Sequence, residues 1–220
     1  MHDAHSASAE QKMIPCSLLI LGTHNPKKGI ELSDLLAPLG ITVETLAHYP
    51  GSIDVLEDGD SFAANAKKKA SEQARHLGQW VLGEDSGICV DALEGRPGIY
   101  SARFAGPDAT DQENNQLLIK KLGNLPMAER TAHYSCHMAL SDPLGNICAE
   151  SESHCCGRIR YEEAGNHGFG YDPLFEIIEY HRTFGELGPA MKAAISHRAR
   201  AMALLLPQLH KLLQGGTGNP

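Results

Sequence analysis

Short apolar runs alternate with amphipathic stretches along the chain, and their two different periods separate strands from helices. Ser17 to Leu21 (SLLIL) is an apolar run that stops at Gly22, the pattern of a buried strand. Residues Lys28 to Leu39 then place Ile30, Leu32, Leu35, Leu36 and Leu39 near helical spacing, with Pro26 at the entry and Gly40 just past the end. The opening unit is strand, polar turn, helix. Ile41 to Leu46 predicts a second strand, and Ser61 can cap an alanine-rich helix that runs to Leu77 and closes at Gly78. Trp80 to Leu82 and Ile88 to Leu93 predict strands on either side of a tight turn, Gly83-Glu84-Asp85-Ser86-Gly87.

Further along, Asp108 or Thr110 can cap a helix whose apolar positions Leu117, Leu118, Ile119 and Leu122 end before Gly123. Thr131 to Leu140 and Asn146 to His154 flank Asp142-Pro143-Leu144-Gly145, a good turn sequence, and predict an antiparallel hairpin. Leu174 to Ile178 adds another strand. The last helix begins near Ser196 and runs through Met202, Leu204, Leu205 and Leu206, with Pro207 expected to kink or interrupt it before Leu209 to Leu213. No internal repeat is visible. Crossover units combined with a hairpin argue for an α/β fold with a mixed sheet.

Of the 220 residues, 42% are hydrophobic and 21% charged, enough to bury a core in one domain split by a cleft into two lobes. The formal net charge of −8 disfavours long nucleic acid polymers, so a polyphosphate has to be held locally by lysines, helix N-termini or a bound cation. Six cysteines without a C-x-x-C pair read as free intracellular thiols rather than a disulfide framework. The polar start MHDAHSASAEQK lacks a signal-peptide core, and no stretch reaches the length of a membrane span. These features predict a cytoplasmic protein: a loose extension over 1–15, one domain over 16–213, and a frayed tail over 214–220.

Five places carry candidate chemistry. Thr23-His24-Asn25-Pro26-Lys27-Lys28 lies between a buried strand and a helix N-terminus, where unpaired N–H groups, the helix dipole and lysines would converge on phosphate; half of such turns are only structural. It is not a P-loop, because G-x-x-x-x-G-K-[ST] is missing. Glu84 and Asp85 form an acidic pair bracketed by glycines that would let backbone approach a ligand, and Glu57-Asp58-Gly59-Asp60 supplies further hard oxygen ligands of the kind magnesium prefers. Solvated loop acids are the plainer reading of both. Phe169-Gly170-Tyr171-Asp172 places an aromatic in a glycine-rich loop, suited to stacking on a nucleobase or to simple burial. Lys192 and Ser196-His197-Arg198 bring donors suited to a carbonyl oxygen, the group separating 6-keto purines from adenine; surface charge at a helix start is the alternative.

Taken together, LGTHNPKKGIEL, GEDSGICVDALEGRPGIYSARFAG, GFGYDPLF and KAAISHRARA resemble the signature segments of the inosine triphosphate pyrophosphatase family, over Ser17 to Leu213. The resemblance implies an extended mixed sheet with flanking helices, two lobes around a nucleotide-binding cleft, and a homodimer. It implies hydrolysis of ITP, dITP and XTP to monophosphate and pyrophosphate, with Mg2+ as cofactor. By that resemblance Thr23, Asn25 and Lys28, within the turn Thr23 to Lys28, and Lys69 hold the triphosphate. Glu57 and Asp85 serve the metal, and Asp85 is also the general base. Ser86 and Phe169, Gly170, Tyr171 and Asp172 line the nucleotide pocket, and Lys192, His197 and Arg198 reach the purine edge.

The chain departs from the family pattern at several positions. Lys27 stands where glycine is usual and His24 where it is frequent; Glu84 replaces a common aspartate, Ala199 a common glycine, and Ala64 a frequent acid. A Maf-type pyrophosphatase would need an arginine-rich N-terminal signature that is absent. A catalytically silent nucleotide-binding protein would have lost Asp85, Glu57 or Lys28. A zinc site from His133, His137, His154, Cys155 and Cys156 matches no familiar spacing.

Overall fold

A computed structural model describes residues 18–213, so the predicted extension over 1–15 and tail over 214–220 lie outside the described residues. β1 (Leu18–Leu21) leads through the polar turn into α1 (Pro26–Leu36). The helix then tightens into a 3-10 turn, Ala37–Leu39, because Pro38 has no N–H to continue the ladder, and Gly40 closes it at φ 63°. After β2 (Thr42–Thr45), α2 (Phe62–Leu77) starts where Ser61 accepts the Ala64 N–H at 3.2 Å and ends at Gly78.

The next element departs from expectation. Gly83 to Gly87 is not a turn: β3 runs unbroken from Trp80 to Val90, paired with β4 (Thr131–Ser141) from Val81↔Ser141 to Val90↔Ala132. Both glycines are required by packing, and Gly87 also lines the smaller of the two cavities described below. A Cβ at Gly83 would collide with the Ala66 carbonyl of α2, and one at Gly87 with Gly98 and Ser101 of the 3-10 segment Gly98–Arg103.

α3 (Asp111–Leu122) is capped by Thr110 in a reciprocal box with Glu113, and β4 and β5 (Ile147–Ile159) form the predicted hairpin, with longer strands than the pattern suggested. β6 (Phe175–Ile177) and β7 (Arg182–Thr183) precede α4 (Phe184–Ile195), a helix the apolar pattern did not predict. Gly188 at φ 78° and Pro189 break its periodicity and its backbone. α5 (His197–Leu213) passes through Pro207 without interruption; Ala203, whose carbonyl loses its partner there, is exposed to water.

The seven strands form one mixed sheet in the order β2-β1-β3-β4-β5-β6-β7, with β1 parallel to both neighbours and the rest antiparallel. α1 and α5 cover one face over a core that includes Leu19, Leu21, Leu36, Met138, Met202 and Leu205. α2 covers the other, against Ile20, Val81 and Ala139. A second core, including Ile88, Leu118, Tyr134, Phe175 and Phe184, fills the far half of the sheet. The α/β mixed-sheet reading therefore stands. β1 accompanies β3 only as far as Leu82, where its carboxyl end meets a change in winding direction, the usual place for a ligand crevice. The described cysteines are all free.

Candidate active site

Two cavities adjoin at this point. The larger, about 330 Å³, is lined by Thr23, His24, Glu57, Lys69, Asp85 and Arg103 among others. The smaller, about 120 Å³, is lined by Phe169, Gly170, Tyr171, Asp172, Lys192, His197 and Arg198. Asn25, Lys28, Ser86 and Ala102 face both and form the shared wall.

The strand–helix turn builds one side. Asn25 caps α1, its Oδ1 accepting the N–H groups of Lys27 at 3.0 Å and Lys28 at 3.2 Å, while its own N–H donates to Thr23 Oγ1 at 3.1 Å. The first-turn donors are thus occupied rather than free, and positive charge at this corner comes from the helix dipole and Lys28. Pro26 and Lys27 line neither cavity. Pro26 points outward at the helix's first position, and Lys27 reaches across the cleft to Asp111 at 3.6 Å and to the Phe169 ring at 5.6 Å.

Because side chains alternate along a strand, Glu84 and Asp85 leave β3 on opposite faces. Asp85 faces α2: its Oδ1 accepts from Lys69 Nζ at 3.0 Å and its Oδ2 from the fully buried Asn65 amide at 3.1 Å. Asn65 also accepts the Gly59 N–H at 2.8 Å, and Lys69 Nζ donates to Glu57 Oε1 at 3.2 Å. The acidic loop is thereby drawn to Asp85, and Glu57 and Asp85 share one ammonium. Asp58 instead pairs with Lys68 at 2.6 Å on the surface. Burial raises the Asp85 pKa; Lys69 and Lys28 oppose this, Glu57 reinforces it, and the balance stays above the ordinary aspartate value.

Glu84 faces α1 and α5. It accepts from Lys28 Nζ at 2.8 Å and from Arg198 Nη2 at 2.9 Å. Burial pushes its carboxyl up, but Arg198 and Lys28 outweigh that and hold it well below the usual carboxylate range. Arg198 is 1% exposed, so it is no surface charge at a helix start; it also donates to Ser86 Oγ at 3.1 Å and to Glu31. Glu31 in turn takes Lys192 Nζ at 2.8 Å, and Lys192 donates to Asp172 at 2.6 Å.

His197 is buried and stacks on Tyr134, ring centroids 4.5 Å apart at 7°. Burial, with Arg198 and Lys192 beside it, drives its pKa well below the ordinary value, so the ring is neutral and keeps one N–H donor and one acceptor nitrogen. Phe169 is half-buried with Lys192 Nζ 4.3 Å from its ring centre. Its loop is held by Asp172, which accepts the Phe169 N–H at 2.8 Å, by Tyr171, whose hydroxyl donates to the Ser101 carbonyl at 2.8 Å, and by Asp111, which accepts the Gly170 N–H at 2.9 Å.

The sequence profile of the Ham1 family matches residues 19–208. The chain belongs to the Ham1 family. A dITP/XTP pyrophosphatase of Rhodopirellula baltica is 52% identical over 199 residues, covering 90% of this chain and 96% of that protein. One from Desulforamulus reducens is 45% identical over 194 residues, covering 88% and 96%. Among solved structures, a HAM1 protein from Coxiella burnetii superposes with a TM-score of 0.79 at 34% identity, covering 87% of this chain and 98% of that one. The nucleoside-triphosphatase / dITP/XTP pyrophosphatase of Mycobacterium abscessus gives 0.70 at 39% identity, covering 87% and 99%. Ham1 membership agrees with the family resemblance read from the four segments.

Glu31, Asn65 and Arg103 are parts of this Ham1 site that sequence reasoning missed. A lone charged or amide side chain on an amphipathic helix reads as a solvated position, and only the fold reveals its distant partners. Among the described residues no group of three or more His, Cys, Asp or Glu side chains could hold a metal, which removes the zinc reading of His133, His137, His154, Cys155 and Cys156. No helix of the described residues is long and apolar enough to cross a membrane.

Proposed function

We propose that the protein hydrolyses non-standard purine nucleoside triphosphates, namely ITP, dITP and XTP, to the monophosphate and pyrophosphate, removing damaged nucleotides from the precursor pool. The observation that carries this reading is the pair of adjoining cavities, one aromatic and ringed by donors, the other lined by Lys28, Lys69 and Asp85, joined at Asn25 and Ser86. A base in the smaller cavity puts its α-phosphate at the shared wall, beside Asp85. The names of the dITP/XTP pyrophosphatase relatives support the same substrates.

In this reading Phe169 stacks against the purine, while Lys192, His197 and Arg198 present hydrogen-bond donors to its 6-keto edge. Adenine, which offers an amine there, would leave buried donors unpaired. Thr23, Asn25, Lys28 and Lys69 hold the triphosphate. Asp85, kept a better proton acceptor than an ordinary aspartate, takes a proton from water as the oxygen attacks the α-phosphorus. The bridge between α- and β-phosphorus breaks, and pyrophosphate leaves with the electron pair.

Glu57 and Asp85 fit a magnesium ion, because two hard carboxylates already converge on one cation, the Lys69 ammonium, and magnesium is commonly bound by one or two carboxylates plus phosphate oxygens. When bound, magnesium supplies charge neutralisation to the phosphate oxygens. The family resemblance supports a homodimer.

Incubation with magnesium and dITP, XTP, dATP, dGTP or dUTP separately, followed by product identification, tests the proposal. Monophosphate plus pyrophosphate from dITP and XTP is expected, with slow turnover of dATP. Release of single phosphates, or no turnover, contradicts it.

A further inference from the structure

The larger cavity holds one cation that neither the strand–helix turn nor α2 supplies. Arg103, at the end of the 3-10 segment Gly98–Arg103, lines that cavity and not the smaller one. Lys28 is already paired with Glu84 at 2.8 Å, and Lys69 with both Glu57 and Asp85 at 3.2 and 3.0 Å. Among the described residues Arg103 has no carboxylate partner. Its guanidinium makes a long 3.5 Å hydrogen bond to the Glu57 carbonyl and lies 5.2 Å from the centre of the exposed Tyr100 ring.

The cavity's lysines thus arrive with their charge compensated, and Arg103 arrives with its charge uncommitted. It is also well mounted. Ser101, two residues earlier, donates to the Gly98 carbonyl at 2.6 Å and accepts the Ile88 N–H of β3 at 2.9 Å, while its own carbonyl holds the Tyr171 hydroxyl. This fastens the segment to the strand that carries Asp85 and to the loop that carries Phe169, so the backbone from which Arg103 projects is set before any ligand arrives.

We infer that Arg103 binds the β- and γ-phosphates and stabilises the departing pyrophosphate, a role that rests on the activity proposed above. Asn25, Lys28, Ser86 and Ala102 face both cavities and mark the α-phosphate, whereas Arg103 lies beyond them with Glu57 and Lys69, where the distal phosphates must extend. As the bond between the α-phosphorus and its bridging oxygen breaks, negative charge grows on the pyrophosphate, and a fork of N–H donors there stabilises the transition state more than the ground state. Arg103 is then also what a nucleoside monophosphate product does not touch.

That last point separates this role from a structural strut for the Glu57 loop. Calorimetric binding of magnesium pyrophosphate and of IMP is measured on the full-length wild type, Arg103→Ala and Arg103→Lys, alongside dITP turnover. The expected result for Arg103→Ala is a loss of about 100-fold in kcat/KM and at least about tenfold in pyrophosphate affinity, with IMP affinity within about twofold of wild type. Arg103→Lys should recover part of the pyrophosphate affinity. A pyrophosphate loss no larger than the IMP loss overturns the assignment while leaving the activity standing. A wild type that turns over no dITP overturns the activity itself, and this role with it.

Discussion

The two faces of β3 give adjacent carboxylates opposite characters. Glu84, on the α1 and α5 side, is enclosed by Lys28 and Arg198 and held firmly ionised. Asp85, on the α2 side, has Lys69 and Asn65 but shares that lysine with Glu57, and its proton affinity is raised. One acid is a fixture that orients cations; the other is left under-compensated, which suits the base role proposed for it. The sheet's alternation resolves a repulsion that would be costly in a turn, and the surplus or deficit of nearby cations then sets the two proton affinities apart.

Replacing the proposed base should have the largest effect. Asp85→Asn is expected to lower kcat for dITP by about 10³-fold with its thermal unfolding midpoint near that of wild type, since the amide keeps the shape but accepts no proton. Wild-type turnover in this variant would remove Asp85 as base. Its neighbour should behave the other way round. Glu84→Gln leaves Arg198 buried and short of a counter-charge, and is expected to destabilise the fold by about 3–5 kcal/mol in urea denaturation; a stability loss as small as that of Asp85→Asn would erase the contrast.

A smaller effect concerns the neutral His197 on the Glu84 side. Its folded pKa is depressed, so below about pH 6.5 the unfolded chain binds a proton that the native ring refuses, and stability falls as pH drops. Measured between pH 7 and pH 5, the slope of stability against pH should be shallower in His197→Gln than in wild type. An identical slope would show that the ring is not held neutral.

Much of this arrangement is legible in the chain. The β1–α1 unit, the Ser61 cap and the β4–β5 hairpin follow from apolar period and capping chemistry, because both are local. The Gly83 to Gly87 stretch misleads for a physical reason: glycines beside acids signal a turn, and here they are the clearance for α2 and for the Gly98–Arg103 segment. α4 is hidden by Gly188 and Pro189, which interrupt its spacing. Lys192 and Arg198 are both held by Glu31, 167 residues from Arg198, a contact no local pattern encodes.

The unbroken course of β3 also works as a ruler. A strand advances about 3.3 Å per residue, so the step from Asp85, on the wall of the larger cavity, to Ser86, on the wall both cavities share, is set by rigid backbone. A single residue inserted between Gly83 and Glu84 would turn both carboxylates to the opposite faces of the sheet. A change of length there would therefore exchange the two acids' cation partners, Lys28 and Arg198 on one face and Lys69 on the other.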